Sequence, residues 1–328
     1  MPHWQPLRLP PGNFTWAVGE RAAHLGAIVP AFARGAASLA YLSGISMSSR
    51  ELELCTEGLG AAYTLPEPTP DAPAPSPDVL YLEADAVQVH FRDSPDPATR
   101  YQEVKVFCCW RQTGATLAPP KYWADTGPWD THVAALETLA EQEGLHNAKV
   151  VVALGDGAHP LWTLLTAAAP QATQILDWYH VQEHLATVAA VLPEGATWHS
   201  TQRAWLKAGH WRRVIRTLAH LARAGEPAAV REPARKCCCY LFRHRRRLDY
   251  RTALARGYPI GSGRIESACK HLVTLRCKGP GMRWQHAHLT AVLHARCAWC
   301  NGDWDRACRL WRAVGHFAPP GEAMRHAA

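Results

Sequence analysis

The chain has 328 residues, 48% of them hydrophobic and 19% charged, with a formal net charge of +7 and an isoelectric point near 8.9. That is too apolar for a disordered chain, long enough for about two domains, and basic enough to favour an anionic partner. The longest apolar runs fall short of the roughly 18 residues a membrane span needs, and the opening "MPHWQPLRLPPGNF" lacks the apolar stretch of a secretory signal.

Eleven cysteines are present, an odd count, with adjacent clusters at 108–109 and 237–239. Adjacent cysteines rarely pair, so a disulfide scaffold does not fit. Cys297 and Cys300 form one C-x-x-C without a matching half, a weak zinc signal. Buried free thiols in a reducing cytosol fit better. The basic charge is uneven. Between Arg203 and Arg256 there are fifteen Lys/Arg against Glu226, Glu232 and Asp249, a footprint suited to phosphate.

Residues 1–63 read as helices. Residues 22–42 are alanine-rich with apolar spacing near 3.6; after a Gly44 turn, Ser48 and Glu51 have the spacing of a capping box before a further helix. Helix, turn and capped helix fit either a helix-turn-helix for DNA or a plain hairpin packed on the next domain. Residues 64–78 hold six prolines and read as an extended linker. Residues 79–91 then read as two short strands with Asp85 near the break, and residues 101–110 as a third. A helix is expected over 132–143, an all-apolar strand over 150–154, a helix over 161–169 and a short strand over 174–176.

The order β-β-β-α-β-α-β predicts an α/β fold with a mixed sheet, antiparallel at first and then parallel through right-handed crossovers. It is the element order of ribonuclease-H-like nucleases, here assigned to residues 79–180. Residues 181–256 read as a basic helical insertion, and 257–328 as a glycine-rich entry into a helix followed by C-terminal helices. That helix buries Ile265, Ala268, Cys269 and Leu272.

Two apolar strands each end at an aspartate, Asp156 in "VVALGDGAHPLW" and Asp177 in "ILDWYHVQEHL". Active sites of open α/β sheets gather beyond the carboxyl ends of strands. Asp85 lies on the first strand, beside Glu83 and Asp93 as competitors, and Glu266 in the first turn of the late helix. Three such acids from separate elements suit hard divalent cations and phosphodiester chemistry. Each has a structural explanation as well: Asp156 as turn chemistry, Asp177 as a helix cap with His180 on the next turn, Glu266 as a charge favoured at a helix start.

These motifs, above all "GYPIGSGRIESACKHLVTLRCKGPGMRW" over 257–284 and "EVKV" over 103–106, resemble the bacterial insertion-sequence transposases of the ISKra-four family, distant relatives of Mutator-like and ISL-type DDE transposases. The resemblance covers nearly the whole chain from about residue 12 to 305. It implies a ribonuclease-H-like core interrupted by a helical insertion, and a DDE triad that cuts and joins DNA with Mg²⁺ or Mn²⁺. Carried over by position, the triad and metal ligands are Asp85, Asp156 and Glu266. Asp177 and His180 match an accessory pair, with Asp177 as the competing second acid. The family pattern has glycine after the first aspartate; here Ala86 stands there.

Arg243, Arg245, Arg246 and Arg247, with Arg276, Lys278, Arg283 and Trp284, are the expected DNA contacts. The expected partners are element ends and target DNA, with a homo-oligomer on DNA, no membrane, and a bacterial cytoplasmic, nucleoid-associated location. The rival readings are a ribonuclease-H-like nuclease without strand transfer and a truncated, inactive DNA-binding derivative.

Overall fold

The computed structural model describes residues 14–66 and 75–315; the middle of the proline-rich stretch and the two chain ends lie outside the described residues. Three helices open it, α1 (Trp16–Ile28), α2 (Phe32–Ser43) and α3 (Ser49–Ala62). The helical stretch expected over 22–42 is therefore broken. Val29, extended at φ −82° and ψ 138°, precedes Pro30, and a residue before proline is pushed out of helical geometry.

The capping box forms as read. Glu51 N–H donates to Ser48 Oγ at 3.2 Å and Ser48 N–H to Glu51 Oε2 at 2.8 Å, satisfying two of the orphan donors at the start of α3. Residues 55–60 of α3 are all buried, so this stretch of the helix packs on the rest of the protein. The contact is close enough that a Cβ at Gly60 would lie 1.7 Å from the Ala291 carbonyl oxygen.

The sheet follows. β1 (Val79–His90) is a single strand of 12 residues, not two short ones. It pairs antiparallel with β2 (Tyr101–Thr113) over its whole length. β3 (Thr116–Leu117) and β4 (Lys121–Asp125) both pair with the far edge of β2. β4 was not read from the sequence. With β1 unbroken, "EVKV" lies on the second strand, and β4 supplies the third.

After a 3₁₀ turn at Trp129–His132 come α4 (Val133–Gln142), β5 (Val150–Gly155), α5 (His159–Ala168) and β6 (Thr173–Leu176). β5 pairs parallel with β1, and β6 parallel with β5. The open mixed sheet therefore runs β4-β2-β1-β5-β6, with only the short β3 beside β4 on the outer edge of β2. Val152, Ala153 and Leu154 are wholly buried, as an all-apolar strand covered on both faces should be.

From β6 the chain enters α6 (Trp178–Ala189), α7 (Gly195–Lys207), α8 (Trp211–Ala224), α9 (Arg231–Arg243), a 3₁₀ turn at Arg245–Arg247 and α10 (Tyr250–Ala255). It then returns to the sheet as α11 (Gly263–Ala268), a π-helical segment (Cys269–Thr274) and α12 (Leu275–Cys277). α13 (His286–Cys300) and α14 (Trp304–Val314) are the last elements among the described residues. All eleven cysteines are free. Among the described residues no helix is long and apolar enough to cross a membrane.

Side chains alternate along β1. Tyr81, Glu83 and Asp85 face α11, where Arg264 lies 4.7 Å over the Trp110 ring, which stacks on Tyr81. The opposite face carries Leu80, Leu82 and Ala84. There Arg111 of β2 pairs with Glu143 just after α4 at 2.6 Å.

Candidate active site

Asp85 and Asp156 stand level on neighbouring strands. The parallel register pairs Glu83 with Leu154; two residues further on each strand gives Asp85 and Asp156. β5 ends at Gly155 while β1 runs on to His90, so Asp85 lies where β1 passes the carboxyl end of β5. Both aspartates are part-exposed. Each is oriented by backbone: Ala86 N–H donates to Asp85 Oδ1 at 2.7 Å, and Ala158 N–H to Asp156 Oδ1 at 2.8 Å. Burial, then the Asp156 charge, holds the Asp85 carboxyl above its usual value. Ala86 stays in the strand, and no non-glycine residue among those described has positive φ. The missing glycine therefore costs nothing here.

The turn after Asp156 is locked from α9. Gly157 has φ +107°, and a Cβ there would meet the Tyr240 ring at 2.8 Å, so glycine is required on both counts. The Tyr240 hydroxyl donates to the Asp156 carbonyl, and His184 stacks on the Tyr240 ring at 4.0 Å between centroids. Tyr240 was not legible as a site residue. Its partner lies 84 positions away, and no local pattern announces the contact.

Asp177 occupies a different environment. It is completely buried and is the N-cap of α6. Its oxygens accept from Tyr179 N–H at 2.7 Å, Ser262 Oγ at 2.6 Å and His180 Nδ1 at 3.3 Å. Burial works to raise its pKa, but His180, Ser262 and the Tyr179 N–H outweigh it and hold the carboxyl below its usual value. His180, bonded to Asp177 and further supported by the Asp156 charge, is pushed up to about 9, so it is an imidazolium at neutral pH. Asp177 and Ser262 together fasten the glycine-rich entry of α11 to the end of β6.

Glu83 makes the second fastening. Its Oε2 accepts from the Ile265 N–H at 2.7 Å, inside the first turn of α11, while Oε1 is buried with no hydrogen-bond partner. Burial pushes its pKa to about 8, so the native side chain is neutral at pH 7. Asp93, the other competitor, lies at the opposite end of β1 and binds the start of α13 through His286.

The native Glu83 carboxyl keeps its proton until about pH 8, whereas the unfolded one releases it near 4.5. Between those values the folded state binds more protons, so stability falls as pH rises. Gln keeps an acceptor for Ile265 and carries no charge. Glu83→Gln is therefore expected to stabilise the protein by about 1–3 kcal/mol near pH 8 and to flatten the slope over this range. Urea denaturation at several pH values checks this.

Glu266 is exposed in the first turn of α11. Its charge acts on Glu83 and on Cys269, and Cys269 Sγ lies 3.7 Å from Asp85 Oδ2. The structure thus brings Asp85, Asp156 and His180 together and places Glu266 on the helix that covers Asp85. It does not close all three acids into one small sphere. Among the described residues, the group with three ligand atoms within 4.8 Å of one another is Glu53, Glu57 and His288. Two ions about 3.5–4 Å apart, each with ligands near 2.1 Å, spread the outer oxygens well beyond such a sphere. Asp85 and Asp156 offer the hard carboxylate oxygens that Mg²⁺ prefers.

The expected DNA contacts divide. Arg243, Arg246, Lys278 and Arg283 are exposed. Arg245 lies over the Phe242 ring at 4.5 Å, and half-buried Arg247 donates to Gln174 Oε1 at 2.7 Å above Trp162. Arg276 and Trp284 are corrections. Arg276 is 1% exposed and donates to the carbonyls of Gly26 and Pro30 at 2.8 and 3.3 Å. Trp284 is buried, with Nε1 donating to the Cys277 carbonyl at 2.9 Å. Arg276 through these bonds and Trp284 through its edge contact with Phe32 fasten the segment after α11 to the N-terminal helices, and neither side chain stands out from the surface as a DNA contact needs.

No protein-family model matches this chain, and no curated protein matches it.

Proposed function

We propose that the chain is a DDE transposase that cleaves DNA strands at the ends of an insertion sequence and joins them to target DNA. The observation that carries the reading is the level pair Asp85 and Asp156 on adjacent parallel strands, beneath the helix that carries Glu266. The strand order, with β2 antiparallel and β5 and β6 parallel to β1, supports a ribonuclease-H-like core. The helices between β6 and α11 support the insertion expected before the last acid. Asp156 is favoured over Asp177 as the second acid, because Asp177 is fully buried and its oxygens are engaged by three donors.

Asp85, Asp156 and Glu266 would hold the metal. Bound Mg²⁺ or Mn²⁺ supplies Lewis acidity to the attacking and leaving oxygens of phosphodiester cleavage. The chain's part is to hold these carboxylates rigidly on sheet and helix, with Tyr240 fixing the Asp156 turn. The His180 imidazolium beside Asp156 offers a positive charge to a phosphate. Arg243, Arg246, Lys278 and Arg283 offer exposed backbone contacts. Water attacks the scissile phosphorus and a 3′-hydroxyl leaves. That hydroxyl then attacks a target phosphodiester in line, so no protein nucleophile is needed. Pairing two element ends calls for a multimer on DNA.

The test is a strand-transfer assay with pre-cut ends built from the DNA on either side of the gene, a target plasmid and Mg²⁺. Joined product is expected. Nicking without joining would favour a nuclease. DNA binding with neither activity would favour an inactive derivative.

A further inference from the structure

A second cluster lies away from this site, where the N-terminal helices meet α13. Glu53 and Glu57 are one turn apart on α3, and His288 is in the first turn of α13. One ligand atom from each falls within 4.8 Å of the others. Glu57 is wholly buried. Its Oε1 is 2.5 Å from His288 Nδ1, and its Oε2 is buried without a hydrogen-bond partner. The cation near Oε2 is the Arg50 guanidinium, 4.0 Å away. Arg50 is held at 3.0 Å by Glu53, and its side chain is 46% exposed.

A buried carboxylate oxygen without a hydrogen bond is costly, and a side chain half in solvent is able to turn outward. Beside the cluster is a cavity of about 310 Å³ lined by Glu53 and His288, with Arg92, Arg276 and Arg283 on its walls.

We propose that Glu53, Glu57 and His288 form a divalent transition-metal site of the Zn²⁺ class that ties α3 to α13. Two carboxylates and an imidazole suit a borderline ion such as Zn²⁺, with ligands near 2.0–2.2 Å, better than Mg²⁺, which prefers oxygen alone. Tetrahedral ligands at that distance stand about 3.3 Å apart, so a small contraction of the present cluster completes the site. The ion gives Glu57 Oε2 its missing partner, displaces Arg50 toward solvent and releases the proton between Glu57 and His288. A fourth position is left for water or for an anionic oxygen drawn by the arginines of the cavity. This inference does not depend on the transposase reading.

The experiment uses the full chain carrying Asp156→Asn, which disables the other proposed metal site, stripped of metal and titrated with Co²⁺ by visible absorption and with Zn²⁺ by calorimetry. One equivalent is expected to bind without a thiolate-to-cobalt charge-transfer band, which sets aside the eleven cysteines. Affinity is expected to fall at least about tenfold on adding Glu53→Gln or His288→Ala. Glu53 is part-exposed, so its replacement should leave the fold intact, which circular dichroism checks. Absence of binding, a thiolate band, or unchanged affinity in either variant overturns the proposal.

Discussion

Asp156→Asn is expected to lower metal-dependent strand cleavage by a factor on the order of 10³, several kcal/mol of transition-state stabilisation, and to leave DNA binding intact. Asparagine has the same shape, and its Oδ1 still accepts from Ala158 N–H. The Tyr240 hydroxyl holds the backbone carbonyl at 156 rather than the side chain, so the turn keeps its course. What is lost is the charge. Asp85, now held up partly by the Asp156 charge, should ionise more readily, and a neutral amide at 156 binds a hard cation poorly. Single-turnover cleavage of a labelled end in Mg²⁺, with binding measured separately in Ca²⁺, reads the two effects apart. A cleavage rate within tenfold of the parent would remove Asp156 from the triad.

The sequence shows this pair of strands unequally. β5 is legible because a strand buried on both faces is apolar without interruption. β1 reads as two short strands because Glu83 and Asp85 interrupt its apolar run. Both acids in fact keep the strand's alternation and face α11. A carboxylate inside a strand looks like a break until its partner is known, and the partner of Glu83 is an amide 182 residues further on. β4 escaped because five residues after two prolines carry little periodicity of their own. Its strand character comes from the edge of β2.

Charge was legible and direction was not. Arg276 and Lys278 are two positions apart on the same short helix end, yet one is sealed against the Gly26 and Pro30 carbonyls while the other is exposed. The spacing of Asp177 and His180 marked them as a pair, but Ser262, which fixes the role of Asp177 as a fastening, comes from a loop 85 residues away.

Asp177→Ala should cost about 2–4 kcal/mol of stability, mainly from leaving the buried Ser262 hydroxyl and the Tyr179 N–H without their charged acceptor, with a smaller, solvent-screened share from His180, whose side chain is 39% exposed. Tyr179 N–H, the Ser262 hydroxyl and His180 Nδ1 all lose their acceptor, and the entry to α11 loses its tie to β6. The loss should depend on pH with a definite shape. The Asp177 carboxyl is held below its usual value, so its contribution is present above about pH 4 and fades as pH falls through the lowered native value. His180 is raised from 6.5 to about 9, so its contribution is complete below 6.5 and fades as pH rises through about 9.

The gap between parent and Asp177→Ala should therefore be widest from about pH 4 to 6.5 and shrink on the alkaline side. Glu83 adds an alkaline slope of its own, so the comparison belongs in a Glu83→Gln background, where His180 is left as the titrating member of the two fastenings. Urea midpoints at about pH 6 and about pH 9.5 decide it. A gap that is the same at both values would mean that Asp177 acts only as the cap of α6, with no charge shared with His180.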